Sequence, residues 1–295
     1  MLAREAVKVC VDRVLPADVR GPATDRAIAE REGNAVDAGR LGEAMARLEE
    51  FVGGDQVKRE ALVMLSGKRL RTGRTLKVYF MGSWPQWAID RVMYYTHLWE
   101  DAANIQWERT TDIMASDVRI EKDPRDGGWS YLGADVLTIP KDQPTMNLGW
   151  ILETENDRDE SRRLCLHEDG HTLDFTHEQF HPQGTIDWNK PAVYAYYQGS
   201  PNFWSRSDVD AQVFRKYAGA PVTQFSAYDK WSIMHYPIPR EFVLDPADVV
   251  GWNTKRSPTD RRYAALWYPY PALEAQINDT LAGWARSLEA SLGKG

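Results

Sequence analysis

The sequence predicts an α+β domain, and three observations carry that expectation. An apolar, β-rich run, LKVYF at 76–80, is followed by a long stretch with apolar residues at every third or fourth position. Strand-like segments then recur up to about residue 150, and a helix bearing paired histidines starts at Asp159 or Ser161. From about residue 178 the chain is broken by Pro182, Gly184, Pro191, Gly199 and Pro201, so loops should dominate there. The expected architecture is a twisted, mostly parallel sheet with helices packed on it and an irregular second half.

Residues 1–72 read as an N-terminal extension: a propeptide, a structural addition or a partner-binding segment. It has an early turn around Pro16, then Leu41, Met45 and Leu48 at helical spacing, and a basic connector at 66–73. After the strand at 76–80, Ser83 could cap a helix with Pro85 in its first turn. Val92, Tyr95, Trp99 and Ala103 share one face of that helix, which should cover about 84–103. Residues 118–121 read as a strand, 129–139 as strand and loop, and 145–150 as a short strand after Pro144. Further on, Ser207 with Asp210 forms a capping-box pattern, followed by Val209, Val213 and Tyr217 on one face. Ser257, Pro258 and Asp260 mark a stronger start for a helix ending near Trp267. Leu273, Ile277, Leu281, Trp284, Leu288 and Leu292 trace an amphipathic helix over 271–295, which packs on the body or binds a partner. The main domain would span 73–270, with an upper part at 73–177 and a lower part at 178–270.

Composition narrows the function. A net charge of -7 argues against nucleic acid as a partner, because tracking phosphates needs a basic surface. No run approaches the roughly 18 apolar residues of a membrane span. The N-terminus MLAREAVKVC is charged and carries no classical signal peptide, so cytoplasmic residence and non-classical export both stay open. Two cysteines, Cys10 and Cys165, make neither a disulfide framework nor a cysteine-rich zinc site, and Cys165 reads as a packed thiol in a helix.

The chemistry concentrates in LHEDGHTLDFTHE at 166–178. His167 and His171 are four apart, so a helix sets both imidazoles on one face, one turn apart. Glu168 is placed to take a proton from water at an open metal position. His177 lies six residues past His171. A continuing helix would rotate it about 240° away, so the helix must end and the chain turn back. Asp174 is where that turn is expected, since Asp is among the few non-glycine residues that visit the left-handed region. Three His ligands plus water describe a catalytic zinc site. Four of the six histidines (167, 171, 177 and 181) crowd into this stretch, which packing alone does not explain.

A second motif, SIMHY at 232–236, follows Tyr228-Asp229. Together the motifs resemble the metzincin zinc peptidases, closest to the astacin-like branch and its bacterial relatives. Their HExxHxxGxxHE is matched here by HEDGHTLDFTHE, and their methionine turn SxMHY by SIMHY. The similarity runs from 76 to about 269 and includes LGADVL at 132–137 and PTMNLG at 144–149. The resemblance implies a metzincin-like α+β zinc-protease fold with a Met-turn, and a zinc-dependent metalloendopeptidase acting on a peptide or protein substrate. It implies one zinc ion on His167, His171 and His177, Glu168 as general base, Met234 as a floor beneath the metal, and Tyr236 as an oxyanion donor. It also matches Glu178 to the acid that pairs with a newly formed N-terminus. Asp174 departs from the family's glycine. Cys10 could block zinc as a thiolate in a latent form, although its surroundings match no inhibitory motif. Residues 145–148 would form the sheet edge on which an extended substrate pairs. Two alternatives stand beside this reading: a zinc amidase or maturation protease dedicated to one substrate, and a zinc-stabilised binding protein without turnover.

Overall fold

A computed structural model of the chain describes residues 10–11, 13, 15, 19–31, 34, 68–181, 184–200, 202–215 and 228–279. The helix expected around Leu41, Met45 and Leu48 lies outside the described residues, as do Tyr217 and the tail beyond 279; residues 271–279 are helical. The strands are β1 (Arg74–Phe80), β2 (Ile105–Arg109), β3 (Val118–Glu121), β4 (Gly128–Ser130) and β5 (Met146–Leu148). They form one sheet in the order β2-β1-β3-β5-β4. All neighbouring pairs are parallel except β4 with β5.

In β1, Leu76, Val78 and Phe80 alternate inward, which is the period-two pattern that one buried face demands. β2 was not legible as a strand. Only Ile105 and Trp107 are buried in its five residues, and it is a strand because β1 offers an edge in register, Arg74 opposite Ile105. β3 is buried on both faces and carries Arg119 into the interior. That guanidinium is satisfied by the carbonyls of Gln143 at 2.7 Å and Ile139 at 3.0 Å, so it ties the 139–143 loop to the sheet. The expectation that 145–148 is the free edge is corrected. β5 lies between β3 and β4, and the antiparallel strand β4 forms the edge beside the site.

The helices are α1 (Arg20–Glu30), α2 (Gln86–Thr96), α3 (Arg158–Thr172), α4 (Lys190–Tyr197), α5 (Arg206–Val209) and α6 (Pro258–Trp267). α2 starts after Pro85 without a side-chain cap. It passes into a 3₁₀ turn at His97–Asp101, where Trp99 is fully buried. α3 starts at Asp157, two residues ahead of the expected position, because the Asp157 carboxylate accepts the Glu160 N–H. α5 uses Ser205 and Asp208 as its capping box instead of Ser207 and Asp210. The serine–acid spacing is the same in both, so the pattern alone could not choose between them. α3 packs against α2 and across β4 and β5, so the sheet edge and the histidine helix face each other. Among the described residues no helix is long and apolar enough to cross a membrane.

α6 joins the lower half to this core. Ser257 and Asp260 form a complete capping box, and Ser257 Oγ also donates to Asp229 at 2.6 Å. Asp260 accepts the Ser232 hydroxyl at 2.6 Å and the Ile233 N–H at 2.8 Å, so the start of α6 holds the 232–234 turn. Ser257→Ala should therefore cost about 1–2 kcal/mol, at the upper end for a lost cap. A lower denaturation midpoint at unchanged slope would show it, and an unchanged midpoint would contradict it.

Candidate metal centre

Every residue of α3 from 163 to 172 is buried, including His167, Glu168 and His171. Gly170 is required on this helix. A Cβ there would lie 2.4 Å from Met234 Sδ, so the absence of a side chain lets the methionine pack against the helix below the histidines. The helix ends as the spacing required. Asp174 N–H reaches His171 O at 2.8 Å, Phe175 N–H reaches Gly170 O at 2.9 Å, and Asp174 has φ 71°. The Asp174 carboxylate accepts the Lys68 N–H at 2.9 Å. Burial raises its pKa to about 6, against the opposing pull of Arg69 and Lys68. Phe175 is then stacked between Trp99 and Trp267, which fixes the returning chain.

That turn brings His177 back to the first two histidines. His171 Nε2 and His177 Nε2 lie 3.1 Å apart. Two nitrogens on one tetrahedral zinc, each at about 2.05 Å, are about 3.3 Å apart. The fourth member of the cluster is Cys10. Its Sγ is 3.4 Å from His171 Nε2, against about 3.6 Å for a sulfur and a nitrogen sharing one zinc. One donor atom from each of Cys10, His167, His171 and His177 falls within 4.8 Å of the others, and all four residues are buried. His167 Nε2 is buried with no hydrogen-bond partner, which a metal would supply. The outer ring nitrogens are oriented as ligands need: His167 Nδ1 faces Ile233 O at 2.8 Å, and His171 Nδ1 faces Phe175 O at 2.7 Å. Burial, followed by the neighbouring His171 and His177, holds the His167 pKa well below the usual imidazole range, so its ring is neutral at pH 7. The donor set fits a single zinc ion.

Cys10 does more than complete the cluster. Its thiol donates to Glu168 Oε2 at 3.3 Å, and its carbonyl accepts the Tyr236 hydroxyl. It also forms a parallel bridge with Gly128 of β4, and Val11 N–H donates to Gly128 O at 2.9 Å. Gly128 is the second required glycine, since a Cβ there would lie 2.8 Å from Glu168 Oε1. Tyr236 packs edge-on to His177, with ring centroids 4.6 Å apart. His235 turns away: Nδ1 faces Tyr236 O, and Nε2 pairs with the Tyr228 hydroxyl, both at 2.7 Å. Glu178 accepts the Asp229 N–H at 2.8 Å. Cys165 is a free buried thiol, and burial pushes its pKa well up. The sequence therefore brought His167, Glu168, His171, His177 and Tyr236 to one place. It gave Cys10 little weight, because a lone cysteine 157 residues upstream of His167 has no spacing to read.

No family model matches the chain, and no curated protein matches it. Among solved structures it is similar to myroilysin in two determinations. One has 37% identity and a TM-score of 0.64 over 68% of this chain and 96% of that one. The other has 36% identity and a TM-score of 0.53 over 68% and 86%. High choriolytic enzyme 1, a hatching enzyme zinc-protease from Oryzias latipes, has 15% identity and a TM-score of 0.45 over 66% and 88%, too remote to carry an assignment. These findings correct the astacin-like metzincin reading. The metzincin-like fold with its Met-turn is likewise corrected to the α+β fold of myroilysin. The physical reason lies at the centre: a thiol and three imidazoles close the donor set, where the metzincin reading had three imidazoles and an open position. The 232–236 turn packs under α3, but it does not place the chain in that class.

The turn before His177 gives a direct test. Asp174→Ala loses both the tolerance for positive φ and the acceptor for Lys68 N–H, and should cost about 1–3 kcal/mol. Asp174→Asn keeps both and should cost less. Thermal or denaturant unfolding of the zinc-loaded variants checks the ranking; equal stability of the two would contradict it.

Proposed function

The chain belongs to the myroilysin family of zinc peptidases, and on that premise we propose that it hydrolyses peptide bonds with Glu168 as general base and that its N-terminal segment holds it latent. One observation carries the reading: Cys10 meets the three imidazoles, Glu168 and Tyr236 at once. When bound, zinc supplies a Lewis acid that polarises a peptide carbonyl and makes a water more acidic. The residues of the chain supply the rest.

Catalytic zinc sites keep one position for water or substrate, and a fourth protein donor removes it. With Cys10 in place, Glu168 faces a thiol instead of a water, and Tyr236 donates to the Cys10 carbonyl instead of a substrate's. That carbonyl is itself a peptide carbonyl, held beside the metal cluster, and it stands in for the group a substrate would present. Withdrawal of the chain at Cys10 frees all three positions together. Glu168 then accepts a proton from the attacking water and returns it to the departing amine, while the Tyr236 hydroxyl donates to the oxygen on which negative charge develops. The part of residues 1–72 around Cys10 acts in this reading as the inhibitory segment, while Lys68 stays with the body through Asp174, and a peptide or protein is the substrate. A carboxylate set beside the cluster favours a latent enzyme over a permanently structural zinc site, because a structural site needs no base for water.

The test is peptide hydrolysis by zinc-loaded full-length variants. Cys10→Ala should raise activity over the unchanged chain. Adding Glu168→Gln should lower turnover by roughly 10²–10⁴-fold at unchanged zinc content. Tyr236→Phe in the Cys10→Ala protein should lower kcat more than it raises KM, because its hydrogen bond strengthens only as charge develops. Turnover retained above a tenth in the glutamine variant would remove Glu168 from the role of base.

A further inference from the structure

The segment that crosses the metal centre leaves a second imprint on the sheet edge. Three residues beyond Cys10, the Arg13 guanidinium lies 4.3 Å over the ring of Trp129 and pairs with the carboxylate of Asp126. That carboxylate is not held by Arg13 alone. Trp129 Nε1 donates to Asp126 Oδ2 at 2.8 Å, so a residue of the edge fixes the acid in place beside its own aromatic face. Trp129 belongs to β4, next to Gly128, where the segment pairs with the edge and where Glu168 makes its close approach. Its side chain is buried in the same apolar cluster as Cys10 and Tyr236. The seat therefore lies on the same strand that meets Cys10 beside the metal centre.

We infer that Asp126 and Trp129 form a specificity subsite for a basic substrate side chain, a guanidinium or an ammonium. This rests on the peptidase reading above. An extended peptide that replaces the segment takes the same edge, since β4 offers backbone partners to either chain. The position three residues from the metal-bound point then meets an oriented carboxylate and a ring face. A cation satisfies both; a neutral side chain can meet the ring but not the carboxylate's charge, and an acidic one is repelled. Half of the Asp126 side chain remains exposed, so the selectivity is moderate: about five- to tenfold.

The test uses the zinc-loaded full-length protein carrying Cys10→Ala and Arg13→Ala, offered a position-scanning library of fluorogenic peptides. At one position within about three residues of the cleaved bond, Arg and Lys should be favoured over norleucine about five- to tenfold in kcat/KM. Adding Asp126→Asn should reduce that ratio below about twofold, and Asp126→Lys should turn it toward Glu, which a merely structural role for Asp126 would not do. A second measurement needs no turnover: zinc release to 1,10-phenanthroline from the chain with Cys10 intact. Arg13→Ala and Asp126→Asn should each speed release, and the double variant should be no faster than the faster single. Cleavage without a basic preference, or with one indifferent to Asp126, overturns the subsite and leaves the peptidase reading standing. No cleavage of any peptide by the zinc-loaded protein overturns the peptidase reading and the subsite with it. Additive effects on zinc release overturn the pairing from which the inference starts.

Discussion

The geometry of the centre depends on the return of the chain at Asp174. A helix can place two imidazoles on one face, but it carries the next candidate ligand away from them. The left-handed residue at the end of α3 reverses that, with Asp174 anchored to Lys68 N–H and Phe175 wedged between two tryptophans. The result is a pair of imidazole nitrogens 3.1 Å apart in a buried pocket. Like groups at that distance, with a third imidazole beside them, form a stable arrangement when a cation holds them together. The same turn therefore decides both the local fold and the metal chemistry.

Cys10 then determines the state of the molecule. Its sulfur joins the three imidazoles, its carbonyl accepts the Tyr236 hydroxyl and its backbone bridges the sheet edge at Gly128, the three groups that the proposed hydrolysis would use. Since one residue makes all of these contacts, they form and dissolve together. His167, His171 and His177 would still offer three donors to a zinc ion if the thiol withdrew, so the proposed opening would not require losing the metal. The network from α6 through Asp260 to Ile233, whose carbonyl faces His167 Nδ1, also supports the centre and, among the described residues, draws on none of the N-terminal segment.

What could be read from the sequence had a short-range cause. The 167/171 pair follows from helical periodicity, and the left-handed turn at Asp174 from the requirement that His177 come back. The capping box at Ser257 and the strand at 76–80 were likewise local patterns. Long-range partners left no such mark. β2 exists because β1 pairs with it, and the identity of the edge strand depends on where β5 is inserted. Cys10 reaches the metal cluster only through tertiary structure. The astacin-like assignment failed at the same point: motifs around residues 167–178 and 232–236 were legible, whereas Cys10 could be raised as a zinc-blocking thiolate but had no motif to weigh it.

The most direct measurement is X-ray absorption at the zinc edge of the zinc-loaded, full-length protein. The account predicts a first shell of one sulfur at about 2.3 Å and three nitrogens at about 2.0–2.1 Å, with the sulfur replaced by a light atom in Cys10→Ala. A sulfur-free shell in the unaltered protein would contradict it, because Cys10 would then not be the group that closes the site.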